Sequence, residues 1–122
     1  MTREENSRTR RVGDQIQRQL ALLIQKELKD PRVSMVTITG VVVSREFEHA
    51  RVYFTVLNNT KDNIKSTLEG LTKASGFLRK ALSHGLTLRT TPQLHFVYDS
   101  TIEDGNRLVS IIEKANIADS HK

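Results

Sequence analysis

An α+β layer, a three-stranded sheet with its helices on one face, is the architecture that the 122-residue sequence predicts. Three observations carry that expectation. Apolar residues recur at three- and four-residue steps over 7–28 and again over 64–82, the period of helices with one buried face. Stretches near 33–44 and 50–57 are rich in Val, Thr and Ile, and a third after Pro92 alternates apolar with polar, as half-buried strands do. The length, finally, suits one hydrophobic core rather than two.

In the first helix the stripe is Val12, Ile16, Leu20, Leu23, Ile24 and Leu28, with Ser7 or Thr9 as its cap. Asp30-Pro31 ends it, because proline disfavours a helical residue before it and has no N–H to donate. The first strand, 33–44, has an apolar phase that slips from Val36 and Ile38 to Val41 and Val43 across Gly40, which predicts a β-bulge. Residues 45–49 form the hairpin loop. In the second strand Ala50, Val52, Phe54 and Val56 share one face, with Arg51, Tyr53 and Thr55 on the other.

Asn58-Asn59-Thr60 supplies turn and N-cap chemistry for a second helix, whose buried face is Ile64, Leu68, Leu71, Ser75, Leu78 and Leu82 and whose C′ residue is Gly85. Two interior glycines, Gly70 and Gly76, each cost it about 1 kcal/mol relative to Ala, so a bend or break is expected near Ala74-Ser75-Gly76. Leu94, Phe96 and Tyr98 alternate with His95 and Val97 in a third strand that starts no earlier than Pro92. Ser100 to Glu103 spells a capping box, and Leu108, Val109 and Ile112 give a short final helix its buried stripe. The hairpin strands pair antiparallel, and the third strand returns over a helical crossover. The expected domain spans 7–116, with flexible tails at 1–6 and 117–122.

The chain carries 19 Lys and Arg against 14 Asp and Glu, a net charge of +5. Such a surplus favours acidic partners, nucleic acid or an anionic surface. It is unevenly spread: 1–33 carries +3 and 61–92 carries +4, while 34–60 is neutral and 93–122 carries −2. With no cysteine, disulfides, thiolate metal sites and cysteine nucleophiles are excluded, and a reducing compartment is permitted. The longest apolar run, Leu20 to Ile24, is far short of the roughly 20 residues that span a bilayer. A polar, charged start predicts no signal peptide, so a cytoplasmic protein without membrane contact is expected.

Catalytic signatures are missing from the sequence. His49, His84, His95 and His121 lack metal-ligand spacing, and there is no Walker A loop, G-x-G-x-x-G or G-x-S-x-G elbow. The acidic pairs Glu46/Glu48 and Glu103/Asp104 have simpler roles in solubility and at a helix start. No catalytic residue, cofactor or metal is therefore expected.

The second helix carries the basic residues. Lys73 and Lys80 each follow a buried leucine by two residues, which turns them roughly 200° from the core stripe, and Gly76 falls between them. Arg79 stands beside this face and Arg89 just after it. A lysine pair around a position without a side chain lets a sugar-phosphate backbone approach while the ammonium groups neutralise phosphates. Solvated lysines and a glycine that merely permits a bend explain the same residues. On geometry alone the two readings are even. Arg8, Arg10, Arg11 and Arg18 widen the patch if the two helices lie side by side. Arg51 and Tyr53, on the other sheet face, offer a base a place to stack, but aromatics are only 5% of the chain.

Several runs then resemble one family. They are Arg11-Val12 with Gln15-Ile16, Glu27-Leu28-Lys29-Asp30-Pro31-Arg32, Val36 to Val41, Ala50 to Tyr53, Ala74-Ser75-Gly76-Phe77-Leu78-Arg79, Leu88-Arg89 and Pro92 to Phe96. In order and spacing they resemble the bacterial ribosome-binding factor A family over about 7–112. The resemblance implies a type II KH-like domain in which an A-x-G kink, here Ala74-Ser75-Gly76, replaces the usual G-x-x-G loop. The implied order is α-β-β-α(kink)α-β plus a short C-terminal helix. It further implies a ribosome assembly factor that binds the free small (30S) subunit and assists late maturation of 16S rRNA, including its 5′ region. Members matter especially in the cold and have no catalytic residues. The rRNA-binding set expected on this chain is Arg8, Arg10, Arg11, Arg18, Lys73, Ser75, Gly76, Arg79, Lys80 and Arg89. A monomer is expected, with an assembly GTPase as a further partner. Two rivals stand beside this reading: a basic module docking on an acidic protein of the assembly or translation machinery, and an enzyme acting on RNA ends.

Overall fold

The structure, a computed structural model, describes residues 6–86 and 88–101. Helix α1 spans Ser7–Glu27, and a 3₁₀ turn follows at Pro31–Val33. Strands β1 (Val36–Val43) and β2 (His49–Val56) then precede α2 (Lys61–Ser83) and β3 (Gln93–Tyr98). The three strands form one sheet in the order β1-β2-β3. β1 and β2 pair antiparallel, and β3 lies parallel to β2 across the α2 crossover. This is the expected α+β layer. Ser100 lies within the described residues, but Glu103, the other half of its expected capping box, and the final helix over 108–112 fall outside them, as does the end of the expected 7–116 domain.

The cap of α1 is Asn6 rather than Ser7 or Thr9. The Asn6 side chain accepts from the backbone N–H of Arg8 and Thr9, while the Thr9 hydroxyl accepts from Asn6 N at 2.8 Å, a reciprocal capping box. Thr9 is thus a capping partner three residues into the helix. After α1, the Asp30 side chain accepts from Arg32 N and caps the 3₁₀ turn, with Pro31 preset in its first position. Val33 is buried in that turn, so β1 starts three residues later than expected. The register slips between Ile38 and Gly40, the bulge the hydrophobic phase predicts. The extra residue, Thr39, donates its hydroxyl to Asp99 Oδ2 at 2.7 Å, so the bulge ties β1 to the end of β3.

α2 runs unbroken, which corrects the expected interruption at Ala74-Ser75-Gly76. Leu71, Leu78 and Leu82 are 0% exposed, and burial of each side chain is worth about 1.5–3 kcal/mol. That outweighs about 1 kcal/mol for each interior glycine. Ser75, expected on the buried face, is half-buried and donates its hydroxyl to Thr72 O at 2.8 Å. The sequence pattern hides the actual reason for Gly70. A Cβ there would lie 3.1 Å from Val33 Cγ1, where the 3₁₀ turn presses on α2.

The core lies between the sheet and the two helices, with Ile16, Leu20, Phe54, Leu71, Leu78 and Leu82 fully enclosed. α1 crosses β1 at Gly13, where an added Cβ would sit 2.6 Å from Val41 O. Gln17 Nε2 donates to Ile38 O at the register shift. α1 meets the end of α2 through a single carbonyl, Gly85 O, which accepts from Gln15 Nε2 at 3.1 Å and Gln19 Nε2 at 3.2 Å. Gly85 does follow the helix as its C′ residue, yet among the described residues no glycine has positive φ. Its missing side chain makes room for Gln19, whose amide would lie 2.6 Å from a Cβ.

Candidate nucleic-acid interface

On the outer side of α2 Lys73, Gly76 and Lys80 are all exposed, and nothing lies within 4 Å of the position a Gly76 Cβ would take. Gly76 opens on a shallow groove of about 450 Å³ lined by Arg79, Lys80, Ser83, Arg89, Thr90 and Thr91. Four of the expected RNA-binding residues, Gly76, Arg79, Lys80 and Arg89, are therefore brought together. Thr90 and Thr91 add hydroxyl groups. Three basic side chains around a wall without a Cβ form a surface that an anionic polymer can approach closely.

Arg79 has a second duty. Its Nε and Nη2 donate to Thr91 O at 3.1 and 2.9 Å, anchoring the segment that leads into β3 to α2. Those N–H groups are committed to the fold, and only the rest of the guanidinium fork is left for a ligand. Lys73 stands apart from the groove, near the Asp30–Arg32 ion pair. Its charge adds to the pull on Asp30, whose carboxyl is held down to about 2 chiefly by the Arg32 side chain and backbone N–H. Arg32 Nη2 lies 2.6 Å from Asp30 Oδ2. The buried Thr67 hydroxyl donates to Arg32 O at 2.9 Å, so the Lys-Asp-Pro-Arg turn is a clasp between α1 and α2.

The α1 arginines divide. Counting 100° per residue from buried Ile16, Gln15 and Gln19 lie about 100° and 60° to one side, with Arg8, Arg11 and Arg18 on that same side. This is the side turned towards Gly85 and the end of α2. Arg10 lies about 120° to the other side, beside Gln17, and so does not join the patch. The Arg8 guanidinium sits 4.9 Å from the centroid of Phe47, a cation–π contact over a loop residue with φ of 60°. Arg11 and Arg18 are left exposed to extend the basic surface.

On the opposite sheet face Arg51 and Tyr53 are half-buried, and His49 Nδ1 lies 2.9 Å from His95 Nε2. The residue that sequence reasoning missed is Phe77. It stands one position ahead of buried Leu78, is half exposed, and falls between Lys73 and Lys80 along the helix. An aromatic among cations was the available signal. Among the described residues no helix is long and apolar enough to cross a membrane.

A family profile described as Ribosome-binding factor A matches residues 8–112. The chain belongs to the ribosome-binding factor A family. A ribosome-binding factor A from Thioalkalivibrio sulfidiphilus is 60% identical over 109 residues, covering 89% of this chain and 84% of that one. The crystal structure of ribosome-binding factor A from Thermus thermophilus superposes with a TM-score of 0.67 at 28% identity, over 74% of this chain and 93% of its own. A homology structure of the Thermus thermophilus ribosome-binding factor A, fitted into the cryo-electron microscopy map of a complex with the 30S subunit, superposes with a TM-score of 0.59. That pair is 29% identical over 71% of this chain and 90% of the other.

Proposed function

We propose that this chain is an assembly factor that binds the free 30S subunit and assists late maturation of 16S rRNA, including its 5′ region. The observation that carries the reading is the convergence of Arg79, Lys80 and Arg89 on the groove beside Gly76. The fitting of a family member into a 30S complex supports the choice of ligand. Arg11 and Arg18 extend the basic surface along α1. The RNA is held chiefly through phosphates and shape, which suits a chain in which aromatics are only 5%.

Neutralising about six phosphates at a slope near −0.7 each predicts that affinity falls a few hundredfold between about 50 and 200 mM salt. Replacing Lys73, Lys80 and Arg89 together with Ala weakens binding to purified free 30S subunits and flattens the slope of log Kd against log salt by about 0.7 for each lost contact. Filter binding at four salt concentrations reads both. Unchanged affinity and slope in a variant with normal circular dichroism would remove α2 from the interface. Ribonuclease treatment of an extract separates this reading from docking on an acidic protein, because only RNA-mediated association collapses.

A further inference from the structure

Phe77 is the exposed apolar side chain that stands among the basic residues of α2. It is 50% exposed although the same helix encloses Leu71, Leu78 and Leu82 completely. Lys73 lies four residues before it and Lys80 three after, so both are its neighbours on the helix surface, about 10 Å apart along the axis. Gly76, next to it, leaves the adjoining backbone open. Resting on the reading that α2 faces rRNA, we infer that Phe77 is the stacking platform of the interface, taking the face of one unpaired base while Lys73 and Lys80 meet the phosphates on either side.

The chemistry selects this occupant. An apolar ring between two exposed cations suits an anionic polymer with flat apolar faces, and a nucleic acid carries both features in one repeat. An apolar protein groove would have to desolvate both ammonium groups to reach the ring. A phosphate backbone alone would gain from the lysines but nothing from the Phe. Duplex RNA hides its base faces, so the contact selects a single-stranded or bulged segment. Stacking tolerates any base, which gives the platform a preference for structure rather than for sequence.

The test uses the full chain with purified free 30S subunits. Phe77→Ala lowers affinity by about five- to a hundredfold, the range for one base on one aromatic ring, and leaves the salt slope unchanged because no cation is lost. Phe77→Leu keeps apolar bulk without a π face and loses nearly as much. Phe77→Trp retains affinity, and since the chain has no tryptophan it adds one reporter, read as the difference from the same titration with the wild-type chain. Its emission is quenched on binding by the stacked base. Wild-type affinity in Phe77→Ala or Phe77→Leu overturns the platform, as does a Trp signal that brightens and shifts to the blue as it would in a protein groove. If the Lys73, Lys80 and Arg89 substitutions are also silent, it is the reading that α2 faces rRNA that has failed; if they weaken binding while Phe77→Ala does not, only the platform falls.

Discussion

Two glycines in helices carry opposite consequences for the same substitution. Gly13→Ala adds a methyl group that meets Val41 O at 2.6 Å, and a backbone carbonyl in a sheet has nowhere to go. The better helix propensity of Ala, worth about 1 kcal/mol, is outweighed by displacement of α1 from β1, and a net loss of about 1–3 kcal/mol is expected in chemical denaturation. Gly76→Ala meets open space and gains up to about 1 kcal/mol. On the proposed function the same change weakens 30S binding, so a more stable but less active variant is the outcome to look for by melting and filter binding together. Asp30 gives a pH effect of definite sign. Its carboxyl is lowered from 3.8 to about 2 in the folded chain, so it stabilises the fold above the ordinary value and ceases to as pH falls through about 2. The melting temperature of Asp30→Asn should therefore lie below that of the wild type near neutral pH and converge with it across this window. The open side of Gly76 was legible from helical spacing, but the contact that forbids a side chain at Gly13 was not. What they touch is set by a strand 28 residues away in one case and by solvent in the other.

The elements themselves were largely legible, because period and turn chemistry act over a few residues. Both helices, the three strands, the hairpin and the bulge at Gly40 follow from local pattern. What was not legible came from competition between neighbours. Asn6 takes the cap of α1 because Thr9 is occupied as its partner, so Asn6→Ala should cost about 1 kcal/mol of stability in urea titrations, and Ser7→Ala close to nothing. The Pro31–Val33 turn takes Val33 from the expected strand, whose start moves on to Val36, because Asp30 caps the turn and Thr67 holds it. α2 stays whole where local propensity favoured a break, because the leucines on either side of Gly76 are buried together.

At the scale of the molecule the candidate interface is composite. Arg79 and Lys80 come from α2, Arg89 to Thr91 from the segment entering β3, and Arg11 and Arg18 from α1, which the paired glutamines hold to Gly85. Sequence reasoning placed the charge in two segments but could not say which residues converge. Arg10 turns away and Arg79 is partly spent on Thr91, and both facts depend on how the helices dock. Loss of that docking should be felt at the interface: Gln15 and Gln19 replaced together with Ala are expected to weaken 30S binding severalfold without touching a basic residue, as a competition assay with the wild-type chain would show.

The parallel pairing of β2 with β3 has a consequence in time. β1 and β2 close a hairpin through a five-residue loop, whereas β3 reaches β2 only after all of α2 has been laid across the sheet. Local contacts form ahead of such distant ones, so the hairpin precedes the completed sheet during folding. Because the groove needs Thr91 anchored to Arg79 and β3 in its register, a half-folded chain, already basic, still lacks the shaped surface. On the proposed function, recognition therefore waits for β3, and until that strand is in register the chain offers RNA its net charge of +5 without the groove.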